Sequence, residues 1–264
     1  MPLLSNLIDL PDKPLISLVG AGGKTTTMYA LARELARQGK RVVTTTTTQI
    51  FMPTQDETEK LIVEAETPIL LNMVKAAWKQ HHRITVAGSM NDAIGTRLSE
   101  SQHAGKYTGK LFGLQPGILP LLIAQGGADA VISEADGARH RMIKAPADYE
   151  PVVPFETNVA LLLMSAKAIN QPLSEEIAHR PERIAAVTGI NLGDLLTPTV
   201  IARLMTSGWG ALKGIPERAK VYVLVTHATL ERREGVQELA RLLRRSVHIT
   251  DVLSSEEAGA WFTI

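Results

Sequence analysis

Leu18-Val19-Gly20-Ala21-Gly22-Gly23-Lys24-Thr25-Thr26-Thr27 holds the residue types that cradle a chain of phosphates. Glycines let a backbone turn tightly and aim several N–H groups inward, and the start of a following helix adds partial positive charge. In such a loop Gly20, Ala21, Gly22 and Gly23 supply the backbone and Lys24 bridges terminal phosphates. There the Thr25 hydroxyl would ligate Mg²⁺ and Thr26 would hydrogen-bond an inner phosphate. A second cluster, Glu134-Ala135-Asp136-Gly137, closes the apolar run that starts at Ala130. Its two carboxylates stand two residues apart on an extended chain, hence on one face. Acids in that position hold Mg²⁺ directly or through water and orient the attacking group in phosphoryl transfer. Lys24, Glu134 and Asp136 are therefore the expected catalytic residues, with Thr25 and Glu134 as the metal pair. How the two acids divide the work stays open.

Two further segments are candidates for the same rim. Thr44-Thr45-Thr46-Thr47-Thr48 puts more hydroxyls in succession than strand propensity asks for. In a parallel sheet the carboxyl ends of strands face the ligand crevice, so Thr47 and its neighbours are expected to approach the nucleotide or metal. Beyond the acids, Arg139, His140, Arg141 and Lys144 form a basic stretch. Folded over the rim, Arg139 and Lys144 would receive an anionic second substrate; left outside, the stretch is a solvated face. His179-Arg180-Pro181-Glu182 reads as the capping segment of a helix that has Pro181 in its first turn. The histidines show no zinc-binding spacing.

These groups need a scaffold, and the hydrophobic spacing supplies one. Pro14–Gly20 is a short β-type run, Lys24–Gln38 has helical periodicity ending at Gly39, and Arg41–Thr48 is again β-type. Strand, helix, strand at this distance predicts a parallel βαβ unit. Further strands are expected at 84–88, 130–136, 159–164, 221–226 and 247–250. Helices are expected at 68–81, 117–125, 183–187, 199–206 and 231–245. The expected fold is α/β: one doubly wound, mainly parallel sheet over residues 1–264, with a helical subdomain inserted at about 167–218.

Composition narrows the chemistry. The 264 residues include no Cys, which excludes disulfides, thiolate metal centres and a cysteine nucleophile or persulfide carrier. The 28 Lys+Arg against 27 Asp+Glu, with 4% aromatics, argue against a nucleic-acid partner. Asp9, Asp12 and Lys13 interrupt any signal-peptide core, and the longest uncharged run, 111–128, contains Pro116, Pro120 and four glycines. A cytoplasmic protein with no membrane partner is expected.

The loop departs from the common G-x-x-x-x-G-K-[ST] pattern, because Leu18 occupies its first glycine position. Its compact Gly-x-x-Gly-Lys-Thr form resembles the loops of Mur ligases and the GKTTT stretch of signal-recognition GTPases. Val19 stands where MinD/ArsA-type loops carry an extra lysine, so a lysine shared across a dimer is not expected. A dinucleotide site is disfavoured by Thr25 at the third glycine of G-x-G-x-x-G and by the lack of an acid after the second strand. Thr226-His227-Ala228-Thr229 lacks the Lys and Asp of a guanine-reading motif, which leaves the nucleotide, ATP or another NTP, open.

Taken together, Val19–Thr27 with the threonine run, Glu134–Ala138 through Lys144-Ala145-Pro146, and His179–Glu182 resemble the YqeC-type family of selenium-cofactor and selenium-dependent molybdenum hydroxylase accessory proteins. That resemblance spans most of the chain. It implies a P-loop NTP-binding protein, an NTPase or NTP-dependent transferase, in the maturation of a selenium-containing molybdenum cofactor. The implied partners are a molybdopterin-type cofactor or selenium donor and a molybdenum hydroxylase apoprotein. Two other readings stand beside it: a nucleotide-controlled insertion chaperone for the hydroxylase, and a Mur-like ligase suggested by loop form alone.

Overall fold

The computed structural model describes residues 3–91, 109–256 and 261–264. Its frame is a nine-stranded sheet: β1 (Leu15–Gly20), β2 (Val42–Thr46), β3 (Lys60–Val63), β4 (Arg83–Ala87), β5 (Ala130–Glu134), β6 (Val159–Ser165), β7 (Lys220–Thr226), β8 (Asp251–Ser255) and β9 (Trp261–Thr263). The spatial order is β9-β8-β7-β6-β1-β5-β2-β4-β3. Neighbours run parallel apart from β9, which is antiparallel to β8. The phosphate-loop strand β1 is central, with Leu18 paired to Glu134 of β5 and Gly20 to Leu163 of β6.

Helices cover both faces, so the central strands are buried on both sides and read as nearly continuous apolar runs. They are α1 (Leu4–Leu7), α2 (Lys24–Arg37), α3 (Thr67–Ala77), α4 (Leu119–Ala124), α5 (Pro181–Thr188), α6 (Pro198–Met205) and α7 (Arg233–Leu243). Leu31 and Leu35 of α2 and Leu4 of α1 pack on one face with Ile16, Leu18, Leu161 and Leu224. On the other face, Ile201, Leu204, Leu239 and Leu243 pack with Val19, Leu162 and Val223. There, too, Leu70, Val74 and Leu119 pack with Leu15, Val43 and Ile84. The expected doubly wound, mainly parallel α/β sheet is present. The 167–218 stretch holds the short helices α5 and α6 among turns, and Ile184, Leu196 and Ile201 join the cluster formed by the sheet.

One expected strand is displaced. Residues 247–250 lie outside the sheet and β8 begins at Asp251. Val247 is 93% exposed, whereas Val252 and Leu253 are fully buried. The β-branched residues at 247–250 carry strand propensity, but the chain spends them on the descent from the end of α7 to the sheet edge. Three short strands, 49–51, 89–91 and 110–112, form an antiparallel sheet that the sequence pattern does not announce. A two-residue parallel pair joins Ile143–Lys144 to Ala178–His179.

Candidate phosphate-binding site

The loop from Gly20 to Gly23 leaves β1 and becomes the N-terminus of α2. Gly20, Gly22 and Gly23 have φ of +100°, +78° and +120°, a region that side chains disfavour. The crowding is as decisive as the angle: a Cβ on Gly20 would meet Leu163 O at 2.3 Å, and one on Gly22 would meet Ser165 N at 2.7 Å. Ala21 N donates to Leu163 O at 2.9 Å, and Thr226 Oγ1 donates to Gly22 O at 2.6 Å. The loop is thereby pinned against the carboxyl ends of β6 and β7. Gly23 is the N-cap of α2 and brings no side-chain cap, which leaves the helix start to an outside acceptor. Thr26 is exposed and Thr25 half-buried in the first turn.

The expected acids stand beside this loop because β5 is the direct neighbour of β1. Lys24 Nζ lies 3.5 Å from Glu134 Oε1 and 3.3 Å from Asp136 Oδ1, and donates to Gly20 O at 2.8 Å. Thr25 Oγ1 donates to Glu134 Oε2 at 2.6 Å. Both Asp136 oxygens accept from Gly20 N, at 3.2 and 3.1 Å. Glu134 thus faces the helix start, and Asp136 clamps the turn. All three ionised side chains are buried: Lys24 is 4% exposed, Glu134 6% and Asp136 2%.

Charges so placed need partners, and a chain of them runs outward from the loop. Lys144 Nζ lies 2.9 Å from Asp136 Oδ2 and 2.7 Å from Glu150 Oε2, and also donates to Gly137 O at 2.7 Å. Arg180 grips Glu150 with both terminal nitrogens, at 2.7 and 3.2 Å. The sequence Glu134, Lys24, Asp136, Lys144, Glu150, Arg180 alternates in sign from end to end. Burial pulls the Lys24 ammonium's pKa down, but Asp136 and Glu134 outweigh it and hold it above its ordinary value. Burial lifts Glu134 above the usual carboxylate range against the pull of Lys24 and Thr25. Burial would also lift Glu150, yet Lys144 and Arg180 keep it low.

The remaining expected residues are distributed differently. Thr47 stands at the rim, where its hydroxyl donates to Val152 O at 2.6 Å. Thr44, Thr45 and Thr46 hydroxyls bond Thr85, Val86 O and Glu134 O. The threonine run stitches strands and the loop after Glu150 together. Lys144 is inside the ion-pair chain, while Arg139 is exposed. Arg139 and His140 occupy the two central positions of a turn closed by Arg141 N to Ala138 O, with φ of +47° and +59°. This is type I′ geometry, which favours glycine and asparagine; each of these two side chains costs about 1 kcal/mol there.

Glu150 and the ion-pairing role of Arg180 were not legible in the sequence. Glu150 sits in a proline-rich loop without local signal, and the HRPE segment looked like a helix start. It is one, with Pro181 at N1. Ser165 Oγ and Thr226 Oγ1 each lie 3.0 Å from His227 Nδ1, behind Gly22, another group that only the fold assembles.

The site's donors fit a magnesium nucleotide. Thr25 Oγ1 and the Glu134 carboxylate are hard oxygen donors already in contact, and Mg²⁺ takes one or two such groups plus phosphate and water. Among the described residues no cluster of three or more His, Asp or Glu offers an all-protein cage. No helix among them is long and apolar enough to cross a membrane.

A family model described as "YqeC protein" matches residues 16–182. The Escherichia coli K12 protein named "Uncharacterized protein YqeC" is 30% identical over 232 residues, covering 87% of this chain and 82% of that one. Among solved structures, FtsY from Mycoplasma mycoides aligns with 97% of this chain and 66% of its own, at 10% identity and a TM-score of 0.37. The family match takes in the glycine loop, the two acids, Lys144, Glu150 and Arg180, every member of the ion-pair chain. The chain belongs to the YqeC family.

Proposed function

We propose that this protein binds a magnesium nucleoside triphosphate, ATP or another NTP, and uses it as an NTPase or NTP-dependent transferase. The observation that carries this reading is the buried Lys24 ammonium held between Glu134 and Asp136 at a glycine turn that opens α2. Lys24 and the loop N–H groups would hold the terminal phosphates, and Thr25 with Glu134 would hold Mg²⁺. When bound, that ion neutralises developing charge on the transferring phosphoryl group. Glu134, already in contact with the Thr25 hydroxyl, would reach that ion directly or through water. Asp136 positions the loop.

The pathway we infer is maturation of a selenium-containing molybdenum cofactor, on the strength of the family resemblance. With no Cys in the chain, selenium or sulfur arrives on a small molecule or another protein. A second reading, resting on the same resemblance, is a nucleotide-controlled insertion chaperone for a molybdenum hydroxylase. Stoichiometric NTP consumption with a modified cofactor favours the transferase; hydrolysis stimulated by the apo-hydroxylase favours the chaperone. The test common to both is a titration with fluorescent nucleotide and Mg²⁺. Lys24→Ala is expected to weaken binding about 100-fold, some 2.7 kcal/mol, with the far-UV spectrum unchanged. Thr25→Val is expected to lose the magnesium dependence. Unaltered affinity in both variants would reject the assignment.

A further inference from the structure

The small antiparallel sheet continues directly from the threonine strand. Its register sets Phe51 opposite Lys110 and Lys110 opposite Asn91, with Gln49, Phe112 and Ser89 in the next row. Side chains of opposed residues share a face. Ile50 and Leu111 turn inward and are buried, so these two rows form the outer face. Phe51 remains 51% exposed, and Gln49, Ser89, Asn91 and Lys110 are exposed as well. The face is completed from a distant part of the chain. The His140 ring stacks on Phe51 with centroids 5.9 Å apart and planes at 22°, and Lys110 Nζ lies 5.6 Å from the Phe51 centroid.

His140 reaches this position from the type I′ turn that also presents Arg139. A turn of that kind is most stable with Asn-Gly at its centre. Arg and His there are held in the left-handed region against preference, and strain of that sort gathers where side chains have work to do. The two residues lie just beyond Asp136, and Gln49 just beyond Thr46, which pairs with Glu134. The platform therefore shares a rim with the phosphate loop.

We propose that this face is a second binding site, for a planar heteroaromatic molecule that carries a phosphate. The Phe51–His140 pair offers a surface for the ring, the Gln49 and Asn91 amides offer donors and acceptors to its polar edge, and Arg139 and Lys110 offer charge to the phosphate. The proposal deepens the phosphate-loop reading by naming the class of the second substrate.

Flavin mononucleotide is the probe, titrated by fluorescence into the full-length protein saturated with Mg²⁺ and a nonhydrolysable ATP analogue; riboflavin is the phosphate-free comparison. Flavin mononucleotide is expected to bind below about 1 mM and about tenfold more tightly than riboflavin. Phe51→Ala is expected to weaken it about tenfold. The decisive variant replaces the turn centre with its preferred residues, Arg139→Asn with His140→Gly. It is expected to raise Tm by about 4–8 °C while weakening the flavin nucleotide about tenfold and leaving nucleotide affinity unchanged. No binding by the parent protein, equal binding by these variants, or a lower Tm for the turn variant would overturn the proposal. The two sites fail separately: Lys24→Ala should keep the flavin nucleotide and lose the triphosphate, and triphosphate binding untouched by that change would condemn the loop reading alone.

Discussion

Lys24 holds a buried ammonium within 3.5 Å of two buried carboxylates, and the two acids depend on it unequally. Asp136 keeps Lys144 and Gly20 N, and Glu134 keeps the Thr25 hydroxyl. If Lys24 turns to an incoming phosphate, Asp136 stays paired with Lys144, whereas Glu134 loses its ion pair, a counter-charge that a bound divalent cation would restore. The far end of the chain bears on His179, which pairs in register with Lys144. Burial, with Arg180 and Lys144 beside it, lowers the His179 pKa from 6.5 to about 4. The native state then binds fewer protons than the unfolded chain between those values. Its stability contribution is complete above about pH 6.5 and is lost as pH falls toward about 4. Thermal melts across that window should show the parent losing Tm on acidification and His179→Gln losing less. Parallel curves would remove His179 from the account.

At the scale of elements, the loop works because β1 lies between β5 and β6. The first neighbour delivers the acids, and the second delivers the backbone that the glycines lie against. Gly22→Ala would drive a Cβ to 2.7 Å from Ser165 N and 2.9 Å from Ser165 Cβ, in a backbone of φ +78°. The expected cost is about 3 kcal/mol in chemical denaturation, with loss of nucleotide binding. Gly193 separates clash from strain, since its φ is +90° and its Cβ would meet nothing within 4 Å. Gly193→Ala should cost only about 1 kcal/mol and leave nucleotide affinity intact. The ion-pair chain belongs to this scale too: it ties the loop after β1, the end of β5, the proline-rich loop and the head of α5 into one rim.

For the molecule as a whole, a ligand that binds only the native state stabilises it by mass action. Magnesium with the preferred nucleotide at 100 times its Kd should add about 2.7 kcal/mol. In a chain of 264 residues that is a Tm rise of roughly 5–10 °C. Differential scanning fluorimetry over a nucleotide panel would read the preference directly, and chelation of the metal should abolish most of the shift. A flat panel would contradict a triphosphate site.

The glycine loop, its strand and helix, and the two acids were legible in the sequence because each is written locally: apolar runs of distinct period, broken by residues of special backbone freedom or charge. The parallel α/β class followed from their alternation. The small sheet did not, since three-residue strands carry too little pattern, and the strand begun at Asp251 was masked by better β-formers just before it. Nor did Glu150 and Arg180 declare themselves, for a long-range ion pair leaves no trace in spacing. Local periodicity and backbone preference are properties of neighbouring residues and survive in the sequence. Which buried charge meets which, and whether Lys144 ends buried in the ion-pair chain while Arg139 ends exposed, depends on how separate strands and loops are brought together, and the tertiary structure alone decided it.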